Sequence, residues 1–348
     1  MNIEKFVRPN ILKVKPYTSA RSAYMEGVLM DANENPLGSI VDFDGEELNR
    51  YPDPNQTELR NTLSKFINIP MQNLFFGVGS DEIIDLLIKI FCTPAVDSAI
   101  ICEPTYGMYK VSCQINDVNI IELELDKNFD IDVDLINANI TEKTKLLFLC
   151  SPNNPTGNLL NKEKIISIAK KQNIIIVIDE AYIDFANDEG FSKFVETYPN
   201  IIVLRTFSKA WGLAGVRCGY CVASSFIIDL LMKIKAPYSI NKLTAWVILK
   251  ALNENQKYYE FIKELVNERE YLIKELKNTN NVLNILSSQA NYILFKVTDS
   301  NKVFDNLINK NIIIRDRSNQ INLEGYLRVS VGTKEQNRTF IKTLRGII

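Results

Sequence analysis

The sequence of 348 residues contains no histidine. Histidine is the side chain that most often exchanges protons near neutral pH, and it is also a common metal ligand. Its absence excludes Ser-His-Asp and Cys-His catalysis, imidazole-based metal sites and proton transfer through histidine. Acid–base chemistry in this protein must therefore come from lysine, tyrosine, cysteine, a carboxylate or a bound cofactor.

An excess of one charge and a long apolar run are lacking as well. The chain has 40 Lys and Arg against 42 Asp and Glu, a net charge of −2, so neither nucleic acid nor an anionic membrane is expected as a partner. No apolar run is long enough to cross a membrane, and residues 1–5 do not resemble the start of a signal peptide. We therefore expect a cytoplasmic protein.

Cysteine is limited to six residues, several of them within apolar runs, which predicts buried, reduced thiols. Cys218 and Cys221 have the spacing of redox and metal-binding pairs. They fall in a predicted strand, however, where residues three apart point to opposite faces. We expect neither a redox role nor a metal site.

Short apolar runs alternate with helical patterns from about residue 74 to about 222, which predicts a mostly parallel sheet flanked by helices. Helical spacing is clearest at 81–91 and 162–171. Ligands of such α/β sheets bind beyond the carboxyl ends of the strands. The predicted strands cover residues 74–76, 99–102, 120–121, 146–149, 174–178 and 201–204.

The pattern changes after Pro237 and predicts a smaller α+β domain. Its predicted helices are 241–278 with an interruption at 253–255, 302–309 and 334–346, and its predicted strands are 282–286, 292–297, 311–315 and 326–331. We therefore divide the chain into an N-terminal arm (1–40) that contributes to the small domain, a large domain (41–236) and a small domain (237–348).

Lys209 lies at the exit of a predicted buried strand, between hydroxyl-bearing and small residues. Desolvation there disfavours the ammonium form and frees the amine to attack a carbonyl. Arg217, eight residues on, supplies a fixed positive charge for an anion. The pair suggests a Schiff-base lysine beside a phosphate site, as pyridoxal phosphate requires. A solvated surface lysine is the alternative, and the spacing of Ser-Lys hydrolases is not found in this segment.

Three further segments follow predicted strands. Residues 77–82 join a strand to a helix and would form either an anion site or an ordinary capped helix start. Residues 151–158 form a rigid loop that either aims an asparagine amide at a ligand or is only a turn. Asp179 ends a strongly apolar strand, where a carboxylate is costly unless it is paired, for example with a pyridinium nitrogen; the alternative is a helix cap or a surface acid.

Taken in order, these motifs resemble those of the fold-type-I, pyridoxal-phosphate-dependent aminotransferases of class I and II. The motifs are Asn154 to Gly157, Asp179 to Tyr182 and Ser208 to Arg217. Four other segments, 15–17, 31–36, 49–54 and 104–109, resemble the histidinol-phosphate aminotransferases in particular. The resemblance runs from about residue 8 to the C-terminus, and it implies a sheet of the seven-stranded type.

The resemblance also implies the residues that contact the cofactor. Lys209 would join the cofactor covalently and shuttle a proton, and Asp179 would pair with the pyridine nitrogen. Of the other residues, Tyr182 and Asn154 would bind the ring oxygen, Tyr106 would stack on the ring, and Ser80, Asp81, Thr206, Ser208 and Arg217 would hold the phosphate.

For the substrate, the resemblance implies that Arg328 binds a carboxylate and that Arg315 helps to hold a phosphate-bearing molecule. Tyr17 and Asn33 would line the same pocket. Tyr51 would reach the cofactor phosphate of a second subunit, so a homodimer is expected.

The implied reaction is transamination in histidine biosynthesis. Glutamate gives its amino group and becomes 2-oxoglutarate, and imidazole-acetol phosphate accepts it and becomes histidinol phosphate. Two arginines suit this exchange because a guanidinium pairs with either a carboxylate or a phosphate.

Three other functions remain open from the sequence. An aromatic or broad-specificity aminotransferase and an amino-acid-phosphate decarboxylase would use the same cofactor. A non-catalytic, pyridoxal-phosphate-binding regulator is the alternative from another class, but such a protein usually carries a DNA-binding module, and the sequence has no basic helix-turn-helix extension.

Overall fold

Two sheets organise the chain in this computed structural model, which describes residues 2–16, 32, 40, 43–45, 47–171 and 173–347. A seven-stranded sheet has the order β1-β7-β6-β5-β4-β2-β3, and a four-stranded antiparallel sheet has the order β10-β11-β9-β8. The predicted α/β class, with a second α+β unit, is confirmed.

The large sheet is mostly parallel, as predicted. Only β7 runs antiparallel to its neighbours, β1 and β6. All six predicted strands are present, and the seven strands are β1 Leu74–Gly77, β2 Ser98–Glu103, β3 Asn119–Glu124, β4 Thr144–Cys150, β5 Ile175–Asp179, β6 Ile201–Thr206 and β7 Gly219–Val222.

The central strands carry apolar residues on both faces because helices cover both faces of the sheet. In β5, Ile176 and Ile178 enter one core, and Ile175 and Val177 enter the core on the opposite face. The first core is covered by α2 Thr57–Ile67, α5 Val133–Asn139, α6 Lys162–Lys171 and α8 Lys242–Leu252. The second is covered by α1 Pro9–Lys13, α3 Gly79–Phe91, α4 Met108–Ile115 and α7 Ser225–Ile234.

All six cysteines are buried and unpaired. Cys218 belongs to the first core and Cys221 to the second, so the two thiols lie on opposite faces of the sheet. Among the described residues, no group of three or more Cys, Asp or Glu is placed to hold a metal ion.

The four-stranded sheet comprises β8 Val282–Ile285, β9 Tyr292–Val297, β10 Arg315–Asp316 and β11 Tyr326–Ser330. Alternate residues of β9 and β11, such as Phe295 and Leu327, pack against α9 Asn255–Lys277, α10 Ser300–Asn309 and α11 Lys334–Arg345. The other face of this sheet carries Tyr292 and Arg328, and both residues contact the loop after β4. It is therefore the face that borders the carboxyl end of the large sheet.

Two expectations about domain organisation differ from the packing. Residues 2–13 do not lie on the small sheet; Ile3, Val7 and Ile11 pack into the second core of the large sheet. Helix α8 also packs into the large sheet's first core, through Ile248 and Leu252. By packing, the small unit therefore begins near α9, and the expected boundary at 237 stays a prediction.

The strand predicted at 311–315 is wrong in its bounds, because β10 is Arg315–Asp316. Asn311 has a positive φ of 60°, and the backbone N–H of Ile312 donates to the carbonyl of Leu307. This turn closes α10 and occupies the residues that the apolar pattern assigned to a strand.

Within the described part of the chain, no helix has the length and apolarity needed to span a membrane.

Candidate active site

Asp179 lies at the carboxyl end of β5 and is buried, with 3% of its surface exposed. Its carboxylate accepts hydrogen bonds from the Tyr109 hydroxyl (2.8 Å) and from the backbone N–H of Ala181 (3.0 Å). Burial raises the pKa of Asp179 to about 6, although both hydrogen bonds and the charge of Lys209 oppose the rise. The site thus holds an acid that an adjacent cation would stabilise in its ionised form.

Lys209 follows the neighbouring strand, β6, and its ammonium lies 5.7 Å from the centroid of the Tyr182 ring. Burial lowers the pKa of Lys209, and the positive charges of Arg328 and Arg217 lower it further. The amine is therefore closer to its neutral, nucleophilic form than a surface lysine is. The structure brings Lys209, Asp179 and Tyr182 together, as the sequence predicts.

Two tyrosines form the walls of this cluster. Tyr182 is buried beside Tyr292, with ring centroids 5.0 Å apart in an edge-to-face arrangement, and burial raises the pKa of Tyr182. Tyr106 is half-buried, and its hydroxyl donates to Asp81 (3.2 Å). The Tyr106 ring meets the ring of Tyr109 edge to face at 5.5 Å.

The start of α3 and Arg217 are in direct contact. Gly79 has φ +74°, and a Cβ built there would lie 2.7 Å from Nη2 of Arg217. Nη2 of Arg217 also lies 3.4 Å from the carboxylate of Asp81. A Cβ at Gly219, the first residue of β7, would lie 2.6 Å from the amide nitrogen of Ser80. The N-terminus of an α-helix and a guanidinium therefore meet at one point, which suits a phosphate.

Hydroxyl groups adjoin this point from the end of β6. Oγ1 of Thr206 accepts a hydrogen bond from the backbone N–H of Ser208 (3.1 Å), which holds the first residues of the Lys209 loop. Ser80, Asp81, Thr206, Ser208 and Arg217, the predicted phosphate residues, thus fall on two adjoining segments of the sheet edge.

The loop after β4 uses its two asparagines differently. Asn153 is internal to the loop, and its amide donates to the carbonyl of Pro104 (2.9 Å) and to the Thr156 hydroxyl (2.7 Å). Asn154 turns toward the small sheet, and its Oδ1 accepts a hydrogen bond from Nη1 of Arg328 (2.6 Å). Of the two, Asn154 is the one that reaches Arg328, and its predicted bond to the cofactor's ring oxygen stays a prediction.

Arg328 lies on β11, with its guanidinium carbon 5.0 Å from the centroid of the Tyr292 ring. Its Nε is buried and has no hydrogen-bond partner among the described residues. Arg315 pairs with Arg328 in the sheet register and is exposed. The two predicted substrate arginines therefore stand side by side on the face toward the large sheet.

These residues fit pyridoxal phosphate. The buried acid Asp179 suits a basic ring nitrogen, the partly desolvated amine of Lys209 suits an aldehyde, and the contact between α3 and Arg217 suits a phosphate. Close packing supports the fit, because Gly79 and Gly219 occupy positions where a Cβ would collide with the phosphate-binding groups themselves.

Of the three other predicted residues, Tyr51 alone falls within the described part of the chain. Tyr17 and Asn33 lie outside the described residues. Tyr51 stacks on Tyr238 with ring centroids 4.4 Å apart, and 47% of its surface is exposed. Its predicted contact with a second subunit stays a prediction.

Sequence reasoning missed Tyr109, Tyr292 and Arg317. Tyr109 follows Tyr106 by three residues, a spacing that puts both rings on one side of a helical turn and could have identified it. Arg317 follows Arg315 by two residues, the spacing of side chains on one face of a strand. No local signal marks Tyr292, since its contact with Asn153 spans 139 residues.

Comparisons with known proteins agree with this geometry. The family model "Aminotransferase class I and II" matches residues 25–344. The chain is 46% identical to the histidinol-phosphate aminotransferase of Cytophaga hutchinsonii over 346 residues, which cover 99% of each protein. A crystal structure of the Clostridium acetobutylicum histidinol-phosphate aminotransferase matches with a TM-score of 0.80 and 26% identity, covering 86% of this chain and 91% of that one. The Sinorhizobium meliloti histidinol-phosphate aminotransferase, solved with pyridoxal-5'-phosphate, shares the fold (TM-score 0.78, 19% identity, 86% and 83% covered).

Proposed function

The chain belongs to the aminotransferase class I and II family, and from that membership we propose that it acts as a histidinol-phosphate aminotransferase of histidine biosynthesis. It transfers an amino group between glutamate and imidazole-acetol phosphate and uses pyridoxal phosphate as cofactor. One observation carries the proposal: a 46% identity to a histidinol-phosphate aminotransferase that extends over 99% of both chains.

The cofactor would be held at three points. Asp179 would face its ring nitrogen, Lys209 would hold its aldehyde carbon, and the start of α3 with Arg217 would hold its phosphate. Bound pyridoxal phosphate supplies an acceptor for the electrons released at the substrate carbon. The S. meliloti relative, whose crystal structure contains this cofactor, supports the assignment through its shared fold.

Lys209 Nζ moves the proton that leaves the substrate's α-carbon. A lysine can act as the base only when its amine is neutral, and burial together with Arg328 and Arg217 lowers its pKa in that direction. Asp179 would keep the cofactor's ring nitrogen positively charged. The protein thus carries out its proton transfers without histidine.

Arg328 would bind the substrate's anionic group next to the reacting carbon. Its guanidinium is fixed by Asn154 and lies over the Tyr292 ring, so it is already positioned before the substrate arrives. Arg315 adds a second positive charge beside it.

A homodimer, in which Tyr51 of each subunit serves the other's site, is part of the proposal. Its support is the exposed ring of Tyr51, which lies among residues of α2, α8 and the preceding loop rather than with Lys209. A cytoplasmic location stays a prediction.

A substrate panel tests the proposed function. We expect the purified, cofactor-loaded protein to convert glutamate and imidazole-acetol phosphate far faster than glutamate and phenylpyruvate, because only the former acceptor offers a phosphate to the arginines. Assays of 2-oxoglutarate and of carbon dioxide distinguish transamination from decarboxylation. Comparable rates with phenylpyruvate would favour a broad-specificity aminotransferase.

The matched variants are Lys209→Ala and Lys145→Ala. Lys209→Ala removes the amine of the site, so turnover falls by at least roughly 10²–10⁴-fold and the yellow colour of the covalently bound cofactor is lost. Lys145 is a partly buried lysine at the amino end of β4, where it pairs with Asp97, and its replacement leaves colour and turnover intact. Normal turnover of a colourless Lys209→Ala protein would contradict the role of Lys209.

A further inference from the structure

Arg317, two residues beyond Arg315, is a third arginine on the face of the small sheet that borders the site. Its backbone N–H donates to the carbonyl of Tyr326 (3.0 Å), which continues the ladder in which Arg315 pairs with Arg328. In an antiparallel ladder, side chains two residues apart point to the same face. Arg317 therefore shares the face of Arg315 and Arg328.

Arg317, placed on this face by the sheet register, also feels the charges of the site. The hydroxyl groups of Tyr182 and Tyr292 and the charges of Arg328 and Arg315 all act on its guanidinium. Burial, Arg328 and Arg315 lower the pKa of Arg317, so the folded protein disfavours its positive charge. Three cations collected at one place would be stabilised by an anion.

The side chain of Arg317 also has unused hydrogen-bonding capacity. Its Nε is buried and has no partner among the described residues. The neighbouring acid, Asp316, is engaged by its own turn, where it accepts hydrogen bonds from the N–H (2.8 Å) and hydroxyl (2.6 Å) of Ser318. An arginine with an open donor, beside an acid that is already engaged, is suited to a ligand with free oxygens.

The two substrates of the proposed reaction differ in the oxygens that they present. A carboxylate has two oxygens and one negative charge, which one guanidinium fork satisfies. A phosphate ester has three terminal oxygens and a charge of about −1.5 to −2. Arg328 suffices for the first anion, whereas the second leaves an oxygen and a negative charge for which the exposed Arg315 and the partly buried Arg317 are the further donors on this face.

We propose that Arg317 binds the phosphate of the phosphorylated substrate and contributes little to the binding of glutamate, so that it sets the preference for phosphate-bearing substrates. This inference rests on the proposed function. Arg317 thus acts in one half-reaction of the exchange, whereas Arg328 acts in both.

The test is a comparison of the two half-reactions in the cofactor-loaded Arg317→Gln protein. We expect the KM for histidinol phosphate to rise about 10- to 100-fold, as for loss of a charge-assisted hydrogen bond, and the KM for glutamate to change less than about 3-fold. Arg317→Lys keeps the charge without the fork and gives an intermediate KM. Arg338→Gln, which removes an exposed positive charge from α11, changes neither KM.

Binding of inorganic phosphate to the loaded protein, measured by calorimetry, gives a readout without turnover. We expect its Kd to rise about tenfold or more in Arg317→Gln and to stay unchanged in Arg338→Gln. An equal rise of both KM values, or none, would overturn the role of Arg317. If the unaltered protein transaminates glutamate but rejects imidazole-acetol phosphate and histidinol phosphate, the proposed function fails instead.

Discussion

At the residue scale, the site depends on Asp179, a carboxylate whose ionised form is unfavourable because the fold buries it. Asp179 has a folded pKa of about 6, above its ordinary value of 3.8, because it is buried. The folded state therefore binds this proton more tightly than the unfolded state does. The resulting stability is present in full below the ordinary value and is lost as pH rises through about 6. Near neutral pH the ionised acid therefore opposes folding until a cation faces it.

We predict that Asp179→Asn stabilises the apoprotein and weakens cofactor binding. The rise of the pKa from 3.8 to about 6 corresponds to roughly 3 kcal/mol of unfolding free energy at pH 8, which the neutral amide recovers. At pH 5 the gain falls by roughly half, because the folded acid is then mostly protonated. Thermal unfolding of the apoprotein at both pH values measures the effect.

Asp97→Asn is the control for this prediction. Asp97 is also buried, but it accepts a hydrogen bond from the Thr93 N–H (2.7 Å) and pairs with Lys145 (3.7 Å). Loss of that charge lowers Tm at both pH values. A drop in Tm for Asp179→Asn at pH 8 would show that burial of the charge is not costly.

Single residues were predictable from the sequence where the strand pattern alone places them. Asp179 and Lys209 each follow an apolar strand, so their position at the sheet edge depends only on local periodicity. Spacing could have marked Tyr109 and Arg317 as neighbours of Tyr106 and Arg315, but it could not show tertiary contacts such as the hydrogen bond from Tyr109 to Asp179, seventy residues away.

At the element scale, the junction between β1 and α3 is the most constrained part of the site. Gly79 turns the chain with φ +74° and leaves only enough space for the guanidinium of Arg217. Arg217 itself has φ +54°, an uncommon conformation for a residue with a side chain. Two neighbouring backbones are thus held in left-handed conformations where the phosphate would bind, a pattern typical of ligand sites.

We predict that Gly79→Ala weakens cofactor binding and destabilises the protein. The left-handed conformation disfavours a Cβ by about 1–2 kcal/mol, and the Cβ would displace Arg217. The Kd of pyridoxal phosphate should rise about tenfold or more through loss of that guanidinium. Equilibrium dialysis and thermal unfolding provide the two measurements.

Gly215→Ala serves as the control for Gly79→Ala. Gly215 lies in the short turn just before Arg217, and a Cβ built there meets no described atom within 4 Å. It should leave cofactor affinity unchanged. If both alanine variants bind the cofactor as tightly as the unaltered protein, the close approach at Gly79 is not required.

The bounds of several helices could be predicted from the periodicity of apolar residues, but the sheet against which each helix packs could not. The helix predicted at 162–171 is α6 without change, and the interruption predicted at 253–255 separates α8 from α9. Nothing in its own pattern reveals that α8 packs on the large sheet, because an apolar face shows that a helix is buried but not against what. The same limit applies to residues 2–13, which the sequence analysis grouped with the small domain and whose apolar side chains Ile3, Val7 and Ile11 pack into the second core of the large sheet.

At the scale of the whole molecule, the four-stranded sheet is fixed to the strand-end loops of the large sheet. Arg269 of α9 is buried, and its Nη1 donates to the carbonyls of Phe185 (3.2 Å) and Ala290 (3.1 Å). The Tyr292 hydroxyl donates to the carbonyl of Asn153 (2.6 Å), directly beside Asn154, which accepts from Arg328. The position of the substrate arginine thus depends on contacts between the two sheets.

We predict that Tyr292→Phe lowers kcat/KM for both half-reactions by a similar factor. The change leaves the buried carbonyl of Asn153 without its donor, which costs about 1–3 kcal/mol and releases the loop that carries Asn154. Arg328 then loses its fixed position, and it serves glutamate and histidinol phosphate alike. Steady-state kinetics with each substrate, together with thermal unfolding, measure the effect. The equal loss separates this variant from Arg317→Gln, whose effect is confined to the phosphorylated substrate.

Tyr326→Phe is the matched control because the Tyr326 hydroxyl accepts a hydrogen bond from Asn284 (2.8 Å) within the small sheet alone. Both variants remove one hydroxyl from a buried tyrosine of the same sheet. If contacts between the sheets position Arg328, Tyr326→Phe lowers Tm but leaves both kcat/KM values near those of the unaltered protein. Equal kinetic losses in the two variants would mean that Arg328 depends on the stability of its own sheet, and the contact with Asn153 would then have no special part in catalysis.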